Sequence, residues 1–375
     1  MKIGGLTWWR NNYGSILQAY ALQQKILSLG IDHEIICQYG KRIASFDNFR
    51  DKVKRIGLIK TIKRIFWKFC FGKLRKRSIK LQQFVDQNLR ISQEKYTEDT
   101  IINANDVYDG FISGSDQVWN VALNPETSIY WLGFVKESKL KVSYAPSVGV
   151  GKLSEKQSVK IRENLKDYKA ISCREEEGTK LINKAMGETR CKTTLDPTLL
   201  VGREFWDNIC PPRKFSEPYV FVYLLRGTKK ERQLVESFAL KMNLTIVTMP
   251  FLDTEKIELY DFKFGDTKFW DASPLDFVSA VRYADYVFTD SFHGMIFSCL
   301  YHVNFYTFSK IGKAQLNRVT GLQSLFHIPS RMIEGSMKVE KLEEMEEINW
   351  NIVDEILGEK RKESEEFLLQ ALKEL

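Results

Sequence analysis

The stretch ADYVFTDSFHGMIFSCLYHVNFYTF, residues 284–308, holds one complete unit of a recognisable fold class. YVFTD (286–290) is a short β-rich run that stops in polar residues, Gly294 opens a helix, and VNFYTF (303–308) is a second β-rich run. Two strands joined through a helix lie parallel in one sheet. The same alternation precedes it: YVFVYLL (219–225), a helix over about 229–242, and LTIVTM (244–249). Further forward, strands are expected at 2–6, 33–39, 108–112, 141–144 and 170–172. A helix is expected over 15–29, with Leu17, Tyr20, Ala21 and Leu27 on roughly one face.

This pattern gives an α/β chain of two Rossmann-like domains facing each other across a cleft. The proline pair in Cys210-Pro211-Pro212, followed by Pro218, places the linker, so the expected domains are 1–210 and 211–333. Residues 334–375 read as acidic helices, with Ile352, Val353, Ile356 and Leu357, then Phe367, Leu368, Leu369 and Leu372, as their apolar faces.

With 375 residues, 43% hydrophobic, 28% charged and nine prolines, the chain can bury a large core, which excludes a disordered, collagenous or disulfide-knit protein. The six cysteines form no C-x-x-C pair and the four histidines do not cluster beside them, so no metal site is expected. The opening MKIGGLTWWRNN lacks a signal-peptide core, and no run of apolar residues is long enough to span a bilayer. The expected location is a reducing cytoplasm.

The net charge of +8 is unevenly distributed. Residues 50–80 carry thirteen Lys/Arg against Asp51 alone, a local +12, while 334–375 carry thirteen acids against six bases. Within 50–80 the cations interleave with Val53, Ile56, Ile59, Ile62 and Phe66, and Trp67 and Phe69 add aromatics. A basic amphipathic helix of this kind suits an anionic membrane surface, peripheral at the inner face of the cell membrane. It equally suits a solvated helix packed on its own domain. The apolar face is too continuous for a nucleic-acid site, and none is expected.

In doubly wound sheets, ligands bind beyond the carboxyl ends of the strands. After the first strand, Trp8, Trp9, Asn11, Asn12 and Tyr13 lead into a helix whose free amides, with the asparagine side chains and the indole faces, suit a sugar; the alternative is a helix cap by Asn12 or Ser15. After residue 112, Asp116, Gln117 and Trp119 make a plausible wall for a hydroxyl-rich ligand, with Asp116 equally readable as a cap. Arg174, at a strand-to-helix junction, offers a two-pronged grip on a carboxylate or phosphate, or pairs with one of the glutamates behind it. Arg226, Gly227 and Lys229 open another helix as a candidate phosphate cradle. His293 follows a strand, beside a glycine and within reach of Asp290, which suits general acid–base work.

Six segments in this order, NNYGSILQAYALQ, GSDQVWN, SYAPSVG, SCREEEGTKLI, LDPTLL and the 284–308 block, resemble the polysaccharide pyruvyl transferase family. The 317–331 stretch, with Arg318, resembles its tail. The resemblance implies a GT-B-like fold and phosphoenolpyruvate as donor, with no cofactor. It implies as acceptor a sugar of a cell-surface glycan or of its polyprenyl-diphosphate-linked precursor. The product would be a cyclic pyruvate ketal, with phosphate released. It further implies Arg174 on the donor's anionic groups and His293 as acid–base. Many relatives carry Arg two positions before that histidine, where this chain has Ser291; either Arg226, Lys229 or Arg318 then serves the phosphate, or the donor differs from the family's, or the activity is lost. Two other readings are a GT-B glycosyltransferase using a nucleotide sugar and an inactive membrane-associated scaffold.

Overall fold

The computed structural model describes residues 1–38, 53, 57–59, 61–62, 72–251, 259–308 and 313–373, and in them the alternation becomes two parallel sheets. The first half runs β1 (Lys2–Leu6), α1 (Tyr13–Ser28), β2 (Asp32–Gln38), α2 (Gly72–Asn88), β3 (Ile91–Tyr96), β4 (Gly110–Ser113), β5 (Leu140–Ser143), α3 (Glu155–Leu165), β6 (Ile171–Cys173), α4 (Glu176–Met186), β7 (Cys191–Thr193), α5 (Pro197–Leu200) and α6 (Gly202–Asp207). The first five strands order as β3-β2-β1-β4-β5, all neighbours parallel. The parallel pair β6-β7 continues from β5 through a bridge between Val142 and Ala170.

Residues 211–218 form neither helix nor strand. The second half then runs β8 (Tyr219–Tyr223), α7 (Lys229–Lys241), β9 (Thr245–Thr248), α8 (Leu259–Lys263), β10 (Thr267–Lys268), α9 (Pro274–Arg282), β11 (Tyr286–Thr289), α10 (Phe292–Tyr301), β12 (Asn304–Phe308), α11 (Lys313–Leu325), β13 (Met332–Ile333), α12 (Glu340–Glu343) and α13 (Trp350–Lys373). Its sheet order is β10-β9-β8-β11-β12-β13, again parallel throughout.

The strands that periodicity misses are β3, β7, β10 and β13. Two of them are edges of only two residues, and β3 is an edge strand whose centre, Gln93-Glu94-Lys95, is exposed. Charged edge strands carry no apolar signature because only one side of them is paired.

Local chemistry fixes the helix starts. Asn12 caps α1 by accepting the Gly14 N–H at 2.9 Å, and Ser273-Pro274 with Asp276 form a capping box at the start of α9. Helix α1 is buried on nearly every side, because the second half covers its outer face. Tyr13 stacks on Phe277 of α9 with ring centroids 5.4 Å apart, and its hydroxyl donates to the Ala272 carbonyl at 3.2 Å. One core cluster therefore joins Ile16, Leu17 and Tyr20 to Val278, Met295 and Phe297 across the halves. Each such fully buried aliphatic side chain contributes roughly 1.5–3 kcal/mol.

The acidic carboxyl-terminal helix α13 returns to the first half. Leu368, Ala371 and Leu372 pack with Ile3, Leu22 and Tyr144, while Arg361 Nε donates to the Leu199 carbonyl at 2.9 Å. Ser364 Oγ accepts the Leu195 N–H at 3.0 Å, which ties the helix to the turn just before Asp196.

Candidate functional site

The carboxyl ends of β1, β4, β6 and β7 meet the carboxyl end of β11, and chemistry-bearing residues of both halves converge there. Arg174 follows β6 with its side chain only 2% exposed. Its Nη1 donates to Asp196 Oδ2 at 2.9 Å, its Nε donates to Glu175 Oε1 at 2.9 Å, and the plane lies 4.2 Å from the Phe292 ring. Nη2 is buried and has no hydrogen-bond partner. Burial works against the charge of this guanidinium, but Glu175, Asp196 and Asp116 outweigh it and hold Arg174 above its ordinary pKa.

Asp196 caps α5. Its Oδ1 accepts the Thr198 N–H at 3.0 Å and the Thr198 hydroxyl at 2.7 Å, while Oδ2 faces Arg174 and lies 3.5 Å from His293 Nε2. Burial opposes ionisation here too, but His293, Arg174 and the Thr198 N–H prevail and keep Asp196 well below the carboxylate range. In the sequence this aspartate reads as an ordinary cap before Pro197. What singles it out is Arg174, twenty-two positions earlier in the chain, and His293 from the other half.

His293 sits in the first turn of α10, which Ser291 caps by accepting the Gly294 N–H at 3.4 Å. The ring rests on Gly14 in the first turn of α1, and a β-carbon at position 14 would lie 2.1 Å from Nδ1. Only glycine admits the histidine at that distance.

Asp290 is turned to a different task from the one expected for an acid beside His293. Its carboxylate accepts the N–H groups of Leu225 at 2.5 Å and Arg226 at 2.8 Å, fixing the loop after β8. Burial pushes its pKa up to about 6 against those two bonds. In the same loop the Thr228 N–H donates to Glu231 Oε2 at 2.5 Å, so three amides of the candidate phosphate cradle are already committed to the chain's own carboxylates. Arg226 and Lys229 are exposed, with Lys229 Nζ 5.6 Å from the Tyr260 ring. The Arg318 side chain lies outside the described residues.

A cavity of about 780 Å³ opens beside α1, lined among others by Trp8, Asn11, Asn12, Asn124, Tyr130 and, from the second half, Phe251. Ser15 lines it too, and its hydroxyl donates to Asp116 Oδ2 at 2.5 Å. Asp116 adopts φ 71°, ψ −174°, a conformation that costs a non-glycine residue about 1–3 kcal/mol and that collects at functional sites. Of the other residues expected around the acceptor, Asn11 and Asn12 line this cavity, whereas Tyr13 is buried beneath it. Gln117 gives its N–H to Asp116 Oδ1 at 2.8 Å. Trp119 is 0% exposed, stacked on Trp131 with centroids 4.6 Å apart, and its Nε1 donates to the Tyr130 carbonyl, so it supports the wall from behind. Trp8, one of the two indoles after the first strand that suit a sugar, forms the wall itself together with Tyr130, which the sequence gave no reason to single out. A smaller cavity of about 130 Å³ is lined by Arg174, Asp196 and Phe292. His293 lines neither cavity; its ring is closed between Gly14 and Asp196.

Among the described residues, no group of three or more His, Cys, Asp or Glu is placed to hold a metal ion, and no helix is long and apolar enough to cross a membrane.

A family model described as polysaccharide pyruvyl transferase matches residues 12–309. No curated protein matches the chain. Among solved structures, the UDP-GlcNAc 2-epimerase of Neisseria meningitidis bound to UDP-GlcNAc is similar with a TM-score of 0.57 at 9% identity, covering 99% of this chain and 100% of that one. The Arabidopsis thaliana protein UGT89C1 follows with a TM-score of 0.53 at 10% identity, covering 99% of each chain. The Methanocaldococcus jannaschii UDP-GlcNAc 2-epimerase in complex with UDP-GlcNAc and UDP has a TM-score of 0.52 at 13% identity, covering 100% and 99%. At these identities the likeness is one of fold, and the fold is GT-B-like.

Proposed function

The chain belongs to the polysaccharide pyruvyl transferase family, and we propose that it moves the pyruvyl group of phosphoenolpyruvate onto two hydroxyls of a glycan sugar, forming a cyclic ketal and releasing phosphate. The observation that carries this reading is the convergence of Arg174 and His293, from opposite halves, on Asp196, with Arg174 Nη2 buried and without a hydrogen-bond partner and His293 Nε2 3.5 Å from Asp196 Oδ2. Buried donors are normally satisfied, and this unsatisfied one belongs to a residue that lines a cavity a ligand can fill.

The reaction makes matching demands. Proton delivery to the donor's methylene carbon by His293 creates an oxocarbenium-like centre, and a sugar hydroxyl adds to it, its proton returning to the imidazole. Loss of phosphate regenerates such a centre, and the second hydroxyl closes the ring, its proton leaving with the phosphate. Arg174 Nη2 holds an anionic group of the donor, and the buried setting keeps water from competing with the sugar. The acceptor occupies the larger cavity, where Trp8 and Tyr130 offer faces to sugar rings and Asn11, Asn12 and Asn124 offer partners to hydroxyls.

A lipid-linked acceptor fits the basic segment 50–80, most of which lies outside the described residues; Leu58, Ile59 and Ile62 within it are exposed. A nucleotide-sugar donor is less well served, because the amides at the start of α7 are held by Asp290 and Glu231.

The test is phosphate release from phosphoenolpyruvate, screened over polyprenyl-linked sugars. Acceptor-dependent release supports the reading; stabilisation by UDP or GDP with no response to phosphoenolpyruvate replaces it with the nucleotide-sugar one.

A further inference from the structure

We infer that Asp196 is a positioning residue that aims Arg174 and His293 at one anion and holds back part of the arginine's charge until that anion arrives. The inference rests on the roles proposed above for Arg174 and His293.

The geometry separates the two oxygens of this carboxylate. Oδ1 is pinned by both the amide and the hydroxyl of Thr198, so the direction of Oδ2 is set by the turn at α5 and not by its partners. Oδ2 then stands 2.9 Å from Arg174 Nη1, 3.5 Å from His293 Nε2 and 3.4 Å from Ser115 Oγ. The carboxylate is 1% exposed, so water does not screen it.

An ion pair made only for stability would satisfy the guanidinium. Here Glu175 takes Nε and Asp196 takes Nη1, yet Nη2 is left over in a buried place, on the guanidinium whose carboxylate partner also faces the imidazole at 3.5 Å. Among the described residues, the histidine stands against Asp196, against the amino end of α1 at Gly14, and in the first turn of its own helix α10. Glu175 and Asp116 act on the arginine. Of these groups, Asp196 alone is placed to act on both working residues.

Two opposed consequences follow. A negative charge between the two residues weakens ground-state capture of an anion by Arg174, and it holds the imidazole in the place from which it can transfer a proton. Neutralising Asp196 therefore tightens anion binding and slows turnover, a split that loss of structure does not produce.

The experiment measures binding of inorganic phosphate, which needs no acceptor, and kcat and KM for phosphoenolpyruvate, in the full chain. In Asp196→Asn, phosphate is expected to bind about fivefold more tightly. In the same variant kcat should fall about 100-fold or more. Asp196→Glu, which restores the charge, should return phosphate affinity to within about twofold of the unmodified protein. Because Asp196→Asn also disturbs the cap, Thr198→Val provides a second arm: it removes one of the two bonds to Oδ1 while keeping the charge, and should lower kcat about tenfold with little change in KM. Phosphate affinity that is unchanged or weaker in Asp196→Asn, or a Thr198→Val enzyme with unchanged kcat, overturns the inference. Tighter phosphate binding in a protein that never turns over phosphoenolpyruvate would leave the inference standing and remove the reading of the reaction.

Discussion

Gly14 of α1 and His293 of α10 share one volume: the imidazole occupies the place where a side chain at position 14 would begin, 2.1 Å from Nδ1. The glycine of the first half thus decides where the histidine of the second half can sit. Gly14→Ala is expected to displace the ring from Asp196 and to cost about 1–3 kcal/mol in stability, as overpacked sites do. The loss of turnover should be larger than the loss of fold, about 100-fold or more in kcat, as when an acid–base group is misplaced. Thermal melting beside steady-state kinetics checks this. A variant with unaltered kcat would detach the histidine from the reaction.

Arg174→Ala removes one partner from a buried network and leaves Asp196 and Glu175 facing each other without a cation. Breaking a buried pair in this way costs about 3–5 kcal/mol. Denaturant unfolding should show that loss, and phosphoenolpyruvate should no longer stabilise whatever folded protein remains. Arg174→Lys should recover much of the stability but little of the donor affinity, because an ammonium cannot serve two carboxylates and the donor at once.

His33 gives the fold a sensitivity to acid. It is buried against the backbone of Gly5 in the central strand β1, with Nε2 unpartnered, and burial lowers its pKa from 6.5 to about 3. Between those values the unfolded chain binds the proton and the folded chain does not, so stability is complete above pH 6.5 and falls as the pH drops toward 3. The expected loss from this one group between neutral pH and pH 5 is about 2 kcal/mol. Urea unfolding as a function of pH should show this slope, and His33→Gln should flatten it.

The parallel alternation, the helix α1 and the polar strand ends were legible in the sequence because each rests on local signals: β-rich runs, glycine at a helix start, an asparagine cap. The convergence of Arg174 and His293 was not, since it depends on how two halves dock. Asp196 was hidden for a sharper reason. A cap aspartate before Pro197 is sufficiently explained by its own turn, and nothing local shows that its second oxygen reaches an arginine and a histidine. Conversely, Trp119 and Tyr13 looked like ligand faces because they flank the site in sequence, yet both are buried, Trp119 stacked on Trp131 and Tyr13 on Phe277.

The segment 50–80 sets up a separate expectation. Vesicles containing anionic lipid should retain the protein in flotation, and neutral vesicles should not. Roughly 0.5 M salt should release most of it, since the Debye length there is only a few ångströms. Equal binding to neutral vesicles would rule out an electrostatic partner, and failure to bind anionic vesicles at low salt would assign the segment to packing on its own domain.

The account stands most directly on the fate of the donor's second carbon. With phosphoenolpyruvate labelled there by carbon-13 and an accepting lipid-linked sugar, the account expects a quaternary ketal carbon to appear in the NMR spectrum. It should appear in equal amount with phosphate, and both should be lost in His293→Ala and Arg174→Ala. Phosphate released with free pyruvate, or ketal formed equally well by both variants, would contradict it.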